Sequence, residues 1–146
     1  MKTIALISCV SMKLDYRAKV KDIYISPLFK KNIEYAFNRK VDNIFILSAL
    51  HGLIGLEEEI EPYDVTLNDM STREKNKWAR MVFKQIQDHP DIPDIKEVKF
   101  LILAGMSYRG TLEPVLPHTE MPLYGLPIGM QLQRLDVLNA EFSRLE

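Results

Sequence analysis

Three short stretches of the chain are apolar without alternation: Thr3–Ser8, Asn43–Ser48 and Val98–Ala104. Each is rich in Ile, Leu, Val or Phe, the pattern of strands covered on both faces. Between them, apolar positions recur at helical spacing. Ser26-Pro27 joins a capping Ser to Pro at the first helical position. This predicts a helix to about Arg39 that buries Leu28, Phe29, Ile33 and Phe37. Ser71-Thr72-Arg73-Glu74 has capping-box spacing, in which hydroxyl and carboxylate satisfy orphan backbone N–H groups. The helix behind it carries Trp78, Met81, Val82 and Ile86 and stops near His89-Pro90. A short helix is expected after Gly105, with Tyr108 and Leu112 one turn apart. A last helix from about Ile128 sets Leu135, Leu138, Phe142 and Leu145 on one side.

Strands alternating with helices imply an α/β fold: one Rossmann-like domain over residues 1–146, with an open, mostly parallel sheet flanked by helices. A chain of this length can bury roughly 68–70% of its unfolded surface around one core. No repeat or low-complexity tract interrupts it, and the proline-punctuated Asp88–Asp94 is too short to link two domains.

Composition adds exclusions. With 19 Lys+Arg against 20 Asp+Glu the chain carries −1, which excludes a bulk basic clamp for nucleic acid. The charges are nonetheless segregated. Met12–Lys40 holds 8 basic and 3 acidic residues, and Gly55–Met70 holds 6 acidic and no basic ones. The first segment is either a solvated helix face or a track for a DNA phosphate backbone, with Tyr16 and Tyr24 available for stacking. One Cys rules out an intrachain disulfide framework and fits a reducing compartment. His51, His89 and His118 lack ligand spacing to one another, so no metal centre is expected. Gly105–Gly110 has neither the Walker pattern nor the dinucleotide fingerprint, and no cofactor is expected. The apolar run at Met1–Cys9 is too short for a signal peptide, and no stretch approaches the roughly 20 apolar residues of a membrane span. A cytoplasmic protein without a membrane partner is expected.

Ligands of open α/β sheets sit at the carboxyl ends of the strands, and here all three exits are polar. The first leads into Ser8, Cys9, Ser11 and Lys13; the second into Ser48, His51 and Gly52; the third into Gly105, Tyr108 and Arg109. A parallel sheet puts them on one rim. Each has a plainer role too. Ser8 and Ser48 are of the type that caps turns. Cys9 is either a small buried residue or a nucleophile with a lowered pKa. Lys13 is either solvated or an anion ligand beside the hydroxyls. Arg109 is a counter-charge for phosphate, or Gly105 and Gly110 merely shape a helix. Tyr108 stacks on a base or packs on the sheet.

One further segment stands out. In Ile60-Glu61-Pro62-Tyr63-Asp64, Pro62 holds Glu61 extended and sets two carboxylates and a phenol in an irregular stretch. Such carboxylates bind sugar hydroxyls or serve as general bases; they also cap helices or pair with Lys and Arg.

Leu6-Ile7-Ser8 with Lys13-Leu14-Asp15-Tyr16 resembles the opening of the YaaA peroxide-stress proteins. Leu47-Ser48-Ala49-Leu50-His51-Gly52-Leu53, followed by Ile60-Glu61-Pro62-Tyr63 and Leu67, is similar to a second YaaA block. Over nearly its full length the chain resembles a shorter, uncharacterised bacterial and phage domain family related to YaaA. The matching features are the Cys9, Ser11 and Lys13 opening, Tyr24-Ile25-Ser26-Pro27-Leu28-Phe29, Glu61-Pro62-Tyr63-Asp64, the third strand exit, and Pro122-Leu123 to Gly129-Met130-Gln131-Leu132. The resemblance implies a role in oxidative stress or DNA binding, although this shorter chain is expected to lack the helical insertion linked to DNA binding in YaaA. For the shorter family it implies a nucleotide-like ligand.

The expected function is therefore an enzyme acting on a nucleotide, nucleoside or nucleic-acid base at an N-glycosidic bond. Ser8, Cys9, Ser11 and Lys13 would surround phosphate with help from Arg109 and Gly105. Ser48, His51 and Tyr108 would line the base or sugar pocket, and Glu61 or Asp64 would activate water. The alternative is a nonenzymatic nucleic-acid-binding or stress-response protein that uses the Met12–Lys40 face.

Overall fold

The computed structural model describes residues 1–8 and 13–145, without the side chain of Leu145. The elements in chain order are β1 (Lys2–Ser8), β2 (Ala18–Lys19), α1 (Val20–Ile23), α2 (Pro27–Asn38), β3 (Asn43–Ser48), β4 (Gly52–Gly55), β5 (Glu59–Ile60), α3 (Thr72–Asp88), β6 (Val98–Leu103), α4 (Met106–Leu112), β7 (Thr119–Glu120) and α5 (Ile128–Leu145). The protein is mixed α/β. Its main sheet runs β4-β3-β1-β6-β7, with β3, β1, β6 and β7 parallel and β4 antiparallel at one edge. Among the described residues no helix is long and apolar enough to cross a membrane.

The three apolar runs form the three central strands, and both faces of the sheet are covered. Ile4 and Leu6 point with Phe100 and Ile102 into a core closed by Trp78, Val82 and Ile86 of α3. Ala5 and Ile7 point the other way with Leu101 and Leu103, under Phe29, Tyr35 and Ala36 of α2 and Leu135 of α5. This alternation explains why the runs show no polar period: each strand buries both sets of side chains. Burying one such Leu, Ile or Phe contributes about 1.5–3 kcal/mol.

Two caps form as expected. The Ser26 hydroxyl accepts from the Phe29 amide at 3.1 Å, and Ser71 and Glu74 complete a capping box at the start of α3. The buried side of α2 differs from expectation. Phe29 is buried, but Phe37 is 63% exposed, and Asn32, Tyr35 and Ala36 face inward instead. The α2 register is set by Phe29 at its start, and positions 29, 32 and 36 follow as one face. Met81 of α3 is likewise exposed.

Four short strands have no apolar run to announce them. β4 returns from β3 through a turn at Gly52, whose φ of +74° lies in the left-handed region. A Cβ there would also run into the Gln85 amide and the Met81 methyl. The exposed edge of β4 is capped by side chains, since the Leu53 amide donates to Gln85 Oε1 and the Gly55 amide to Glu58. β2 and β5 form a separate two-stranded antiparallel sheet, Ala18 opposite Ile60 and Lys19 opposite Glu59.

A candidate ligand cleft at the strand ends

The sheet order positions a cleft. From β1 the chain passes through α2 to β3 on one side, and from β3 through α3 to β6 on the other. The connections part to opposite faces at β1 and β6, so a crevice opens beyond their carboxyl ends, where such sheets bind ligands.

The crevice has two chambers. The inner one, about 360 Å³, lies over Ser8 at the end of β1 and Leu103, Ala104 and Gly105 at the end of β6. The outer one, about 540 Å³, is bounded by Lys13, Ser26, Tyr63, Asp64 and Asp69. Leu28, Asn68, Tyr108 and Ile128 border both.

Arg109 borders the inner chamber. It is 4% exposed, and among the described residues no carboxylate pairs with it. One guanidinium nitrogen donates to the Leu123 carbonyl at 3.1 Å, and Tyr124 covers the group with its ring centroid 5.0 Å away. A buried charge without a partner costs several kcal/mol, which one carbonyl and one aromatic face offset only in part. Asn32, which also borders the chamber, is 2% exposed, and its Oδ1, itself shut off from solvent, has no hydrogen-bond partner among the described residues. Gln131 of α5 is held by its Nε2, which donates to the Leu126 carbonyl at 2.8 Å. Ser8 Oγ accepts from the Gly105 amide at 3.3 Å, so it ties the two strand exits together.

In the outer chamber Lys13 is placed by backbone pairing. Its bridge to Tyr24, with the Leu14 amide donating to the Ile23 carbonyl, lays the chain beside α1. The Lys13 ammonium sits 4.6 Å from the Tyr63 ring centroid and 5.8 Å from that of Tyr24, and the two phenol oxygens are 2.6 Å apart. Lys13 has no carboxylate partner among the described residues, although Asp64 and Asp69 lie on the same chamber wall. Tyr108 is held edge-on against Trp78 with centroids 5.5 Å apart, and Trp78 Nε1 donates to the Ser48 carbonyl at 2.9 Å.

The expected site residues thus separate into groups. Ser8, Gly105, Tyr108 and Arg109 border the inner chamber, and Lys13 and Asp64 border the outer one together with Tyr108. Lys13 and Arg109, expected to share one anion, line different chambers. Ser48 is fully buried, and its hydroxyl accepts from the Leu50 and His51 amides at 3.2 and 3.0 Å, so it shapes the turn into β4. His51 borders neither chamber and packs edge-on against Tyr63 at 5.6 Å. Glu61 is also outside; its exposed carboxylate meets Arg17 at 3.4 Å. Cys9 and Ser11 lie outside the described residues.

Asn32, Gln131, Asn68 and Asp69 were not among the expected site residues. Two carried a signal. Asn32 falls on the face of α2 that Phe29 and Ala36 bury, and Gln131 precedes Leu135 by one turn of α5; a polar residue on a buried face needs a reason. Asn68 and Asp69 sit in a short 3-10 turn, Leu67–Asp69, with no pattern to mark it.

The basic Met12–Lys40 segment meets the acidic one across the small sheet. Arg17 pairs with Glu59 and Glu61, and Lys19 and Lys21 both pair with Glu57. These contacts hold the Glu57 carboxyl below its ordinary range, chiefly through its bonds to Lys19 and Lys21. Elsewhere Lys31 pairs with Asp136, and Arg39 with Glu120. Lys13, Lys30 and Lys40 keep no ion-pair partner among the described residues.

Fold and cleft together define an α/β protein with a ligand-sized, two-chambered crevice at the carboxyl edge of its sheet. Residues 4–137 match a family of unknown function (DUF6884), and the chain belongs to that family. No curated protein and no solved structure matches it.

Proposed function

We propose that the protein is an enzyme acting on a nucleotide, nucleoside or nucleic-acid base, with the base in the inner chamber and the sugar and phosphate in the outer one. The observation that carries this reading is Arg109, a buried residue with no carboxylate partner among the described residues, at the border of a cavity of about 360 Å³. Arg, Asn and Gln are the side chains whose hydrogen bonds read base edges, while Leu28, Leu103 and Ile128 offer apolar walls to a flat ring. Lys13 suits a phosphate, and Asp64 and Asp69 suit sugar hydroxyls.

The N-glycosidic bond then lies beside Tyr108, which borders both chambers. In hydrolysis the Asp64 carboxylate takes a proton from water as the water oxygen bonds to C1′. The C1′–N electron pair leaves with the base nitrogen, which is protonated from solvent, and the products are free base and sugar phosphate. A second base in place of water makes the same step a transfer. The parallel order β3-β1-β6, with helices on both faces, supports a Rossmann-like reading of the fold, and kinship with YaaA proteins belongs to the same proposal. The reaction would run in the cytoplasm.

A thermal-shift screen against nucleotides, nucleosides and bases, followed by mass spectrometry of the mixtures, tests the reading. Stabilisation by at least one of them, lost in Arg109→Met, and release of free base are expected. Failure of every compound to stabilise the wild-type chain would overturn it.

A further inference from the structure

Helix α3 carries a charge pattern that the cleft does not use. Arg73, Lys77, Arg80 and Lys84 are all exposed, and their spacing of four, three and four residues sets them along one face of the helix. That face is opposite the one that buries Trp78, Val82 and Ile86. The row runs roughly 16 Å along the helix axis. Arg73, Lys77 and Arg80 have no ion-pair partner among the described residues, and Lys84 meets Asp88 at 3.1 Å. Glu74, the other acid of α3, is turned back to the Ser71 amide in the capping box.

Like charges one turn apart repel. A polyanion laid along this face relieves the repulsion and releases its own counterions. The acidic run of the chain itself is engaged, Glu57 by Lys19 and Lys21, Glu59 and Glu61 by Arg17, which argues against a second copy as the occupant. The row also begins beside the cleft. Asp69 borders the outer chamber, and Arg73 follows it by four residues; that bounds the separation of their Cα atoms at about 14 Å.

We infer that this face of α3 holds the phosphodiester backbone of a single-stranded nucleic acid, so that the base offered to the cleft belongs to a polymer and not to a free nucleotide. The inference rests on the nucleotide reading and narrows its substrate class. A single strand is the form that fits, because a base enters such a cleft only when it is unpaired.

The test measures anisotropy of a labelled, mixed-sequence oligonucleotide of about twelve bases, as single-stranded DNA, single-stranded RNA and duplex DNA. The four common 5′-mononucleotides are titrated beside it, and vesicles containing phosphatidylserine serve as a second polyanion. Wild type should bind one of the single strands at least about tenfold more tightly than it binds the mononucleotides, the duplex or the vesicles. Lys77→Gln with Arg80→Gln should weaken that binding about tenfold at low salt and flatten its log–log salt slope by about 1.4. Melting temperature and mononucleotide affinity should stay at the wild-type values, and Lys77→Arg with Arg80→Lys should retain the strand. Lys30→Gln with Lys40→Gln, two exposed cations outside α3, should leave the slope unchanged. A slope that ignores the α3 pair, or equal or tighter binding of duplex or vesicles, would overturn the inference and leave the nucleotide reading standing. Absence of binding by single strands and mononucleotides alike would overturn both.

Discussion

Arg109 and Arg17 are the same residue type under opposite conditions. Arg17 stands in solvent on the small β2–β5 sheet with Glu59 and Glu61 both at 3.4 Å, in an environment where the charge needs little help. Arg109 is buried where a charge needs the most help, and has one carbonyl and an aromatic face. Surface pairs such as those of Arg17, Lys19 and Lys21 are screened by water and salt and contribute little. The matched charges therefore mark a solvated seam, and the unmatched one is the observation on which the proposed ligand site rests. That contrast singles out the inner chamber more sharply than the charge segregation along the chain.

Replacing Arg109 by Met should break the comparison on the functional side. Ligand affinity should fall about a hundredfold or more, read by titration. The melting temperature should hold or rise, because an unpaired buried charge has been exchanged for an apolar side chain of similar length. A large loss of stability with intact affinity would make Arg109 a structural residue like any other. Next in size is the pair of carboxylates. Asp64→Asn should lower turnover by about 10²–10⁴-fold while binding persists, whereas Glu61→Gln should leave both nearly unchanged, measured by release of free base.

Gly52→Ala acts on stability alone. Its left-handed φ and the crowding by Gln85 and Met81 should cost about 1–3 kcal/mol in denaturant melts, with affinity per folded molecule unchanged. A smaller effect is expected at Glu120, where Arg39 donates two hydrogen bonds of 2.7 and 2.8 Å and Lys99 sits at 3.3 Å. The bonds from Arg39 are the main cause that holds the Glu120 carboxyl below its ordinary range and the Arg39 guanidinium above its own. The stabilisation is present above the unfolded carboxyl pKa, about 4.3, and is lost as pH falls through the lower folded value. Melting temperatures of wild type and Glu120→Gln should differ at pH 7 and converge at low pH. Smallest of all, Glu57→Gln should leave the melting temperature at physiological salt within error.

Much of the framework was legible in advance. The central strands, the Ser26 and Ser71 caps and the buried Trp78, Val82 and Ile86 follow from patterns whose physics is local: apolar runs, a capping hydroxyl, a 3.6-residue period. The edge strand β4 and the two-residue strands were not legible, since a short strand is made by its neighbours and leaves no period of its own. The site was legible as a rim but not as a constellation. Ser8, Tyr108 and Arg109 border the inner chamber. Ser48 and His51 come from an equally polar strand exit, yet the antiparallel return of β4 turns that exit away from both chambers.

What the sequence determined by itself was the central strands, the main helices and the polar character of their ends, because these depend on residues within a turn or two of one another. Tertiary structure decided which of those ends share a cavity, and it reversed the meaning of charge. The segregated Lys and Glu of two distant segments cancel across β2 and β5, while Arg109, read from the sequence as a counter-charge for phosphate, is left buried without a carboxylate among the described residues. Burial and pairing are properties of three-dimensional neighbours, and strand order sets those neighbours.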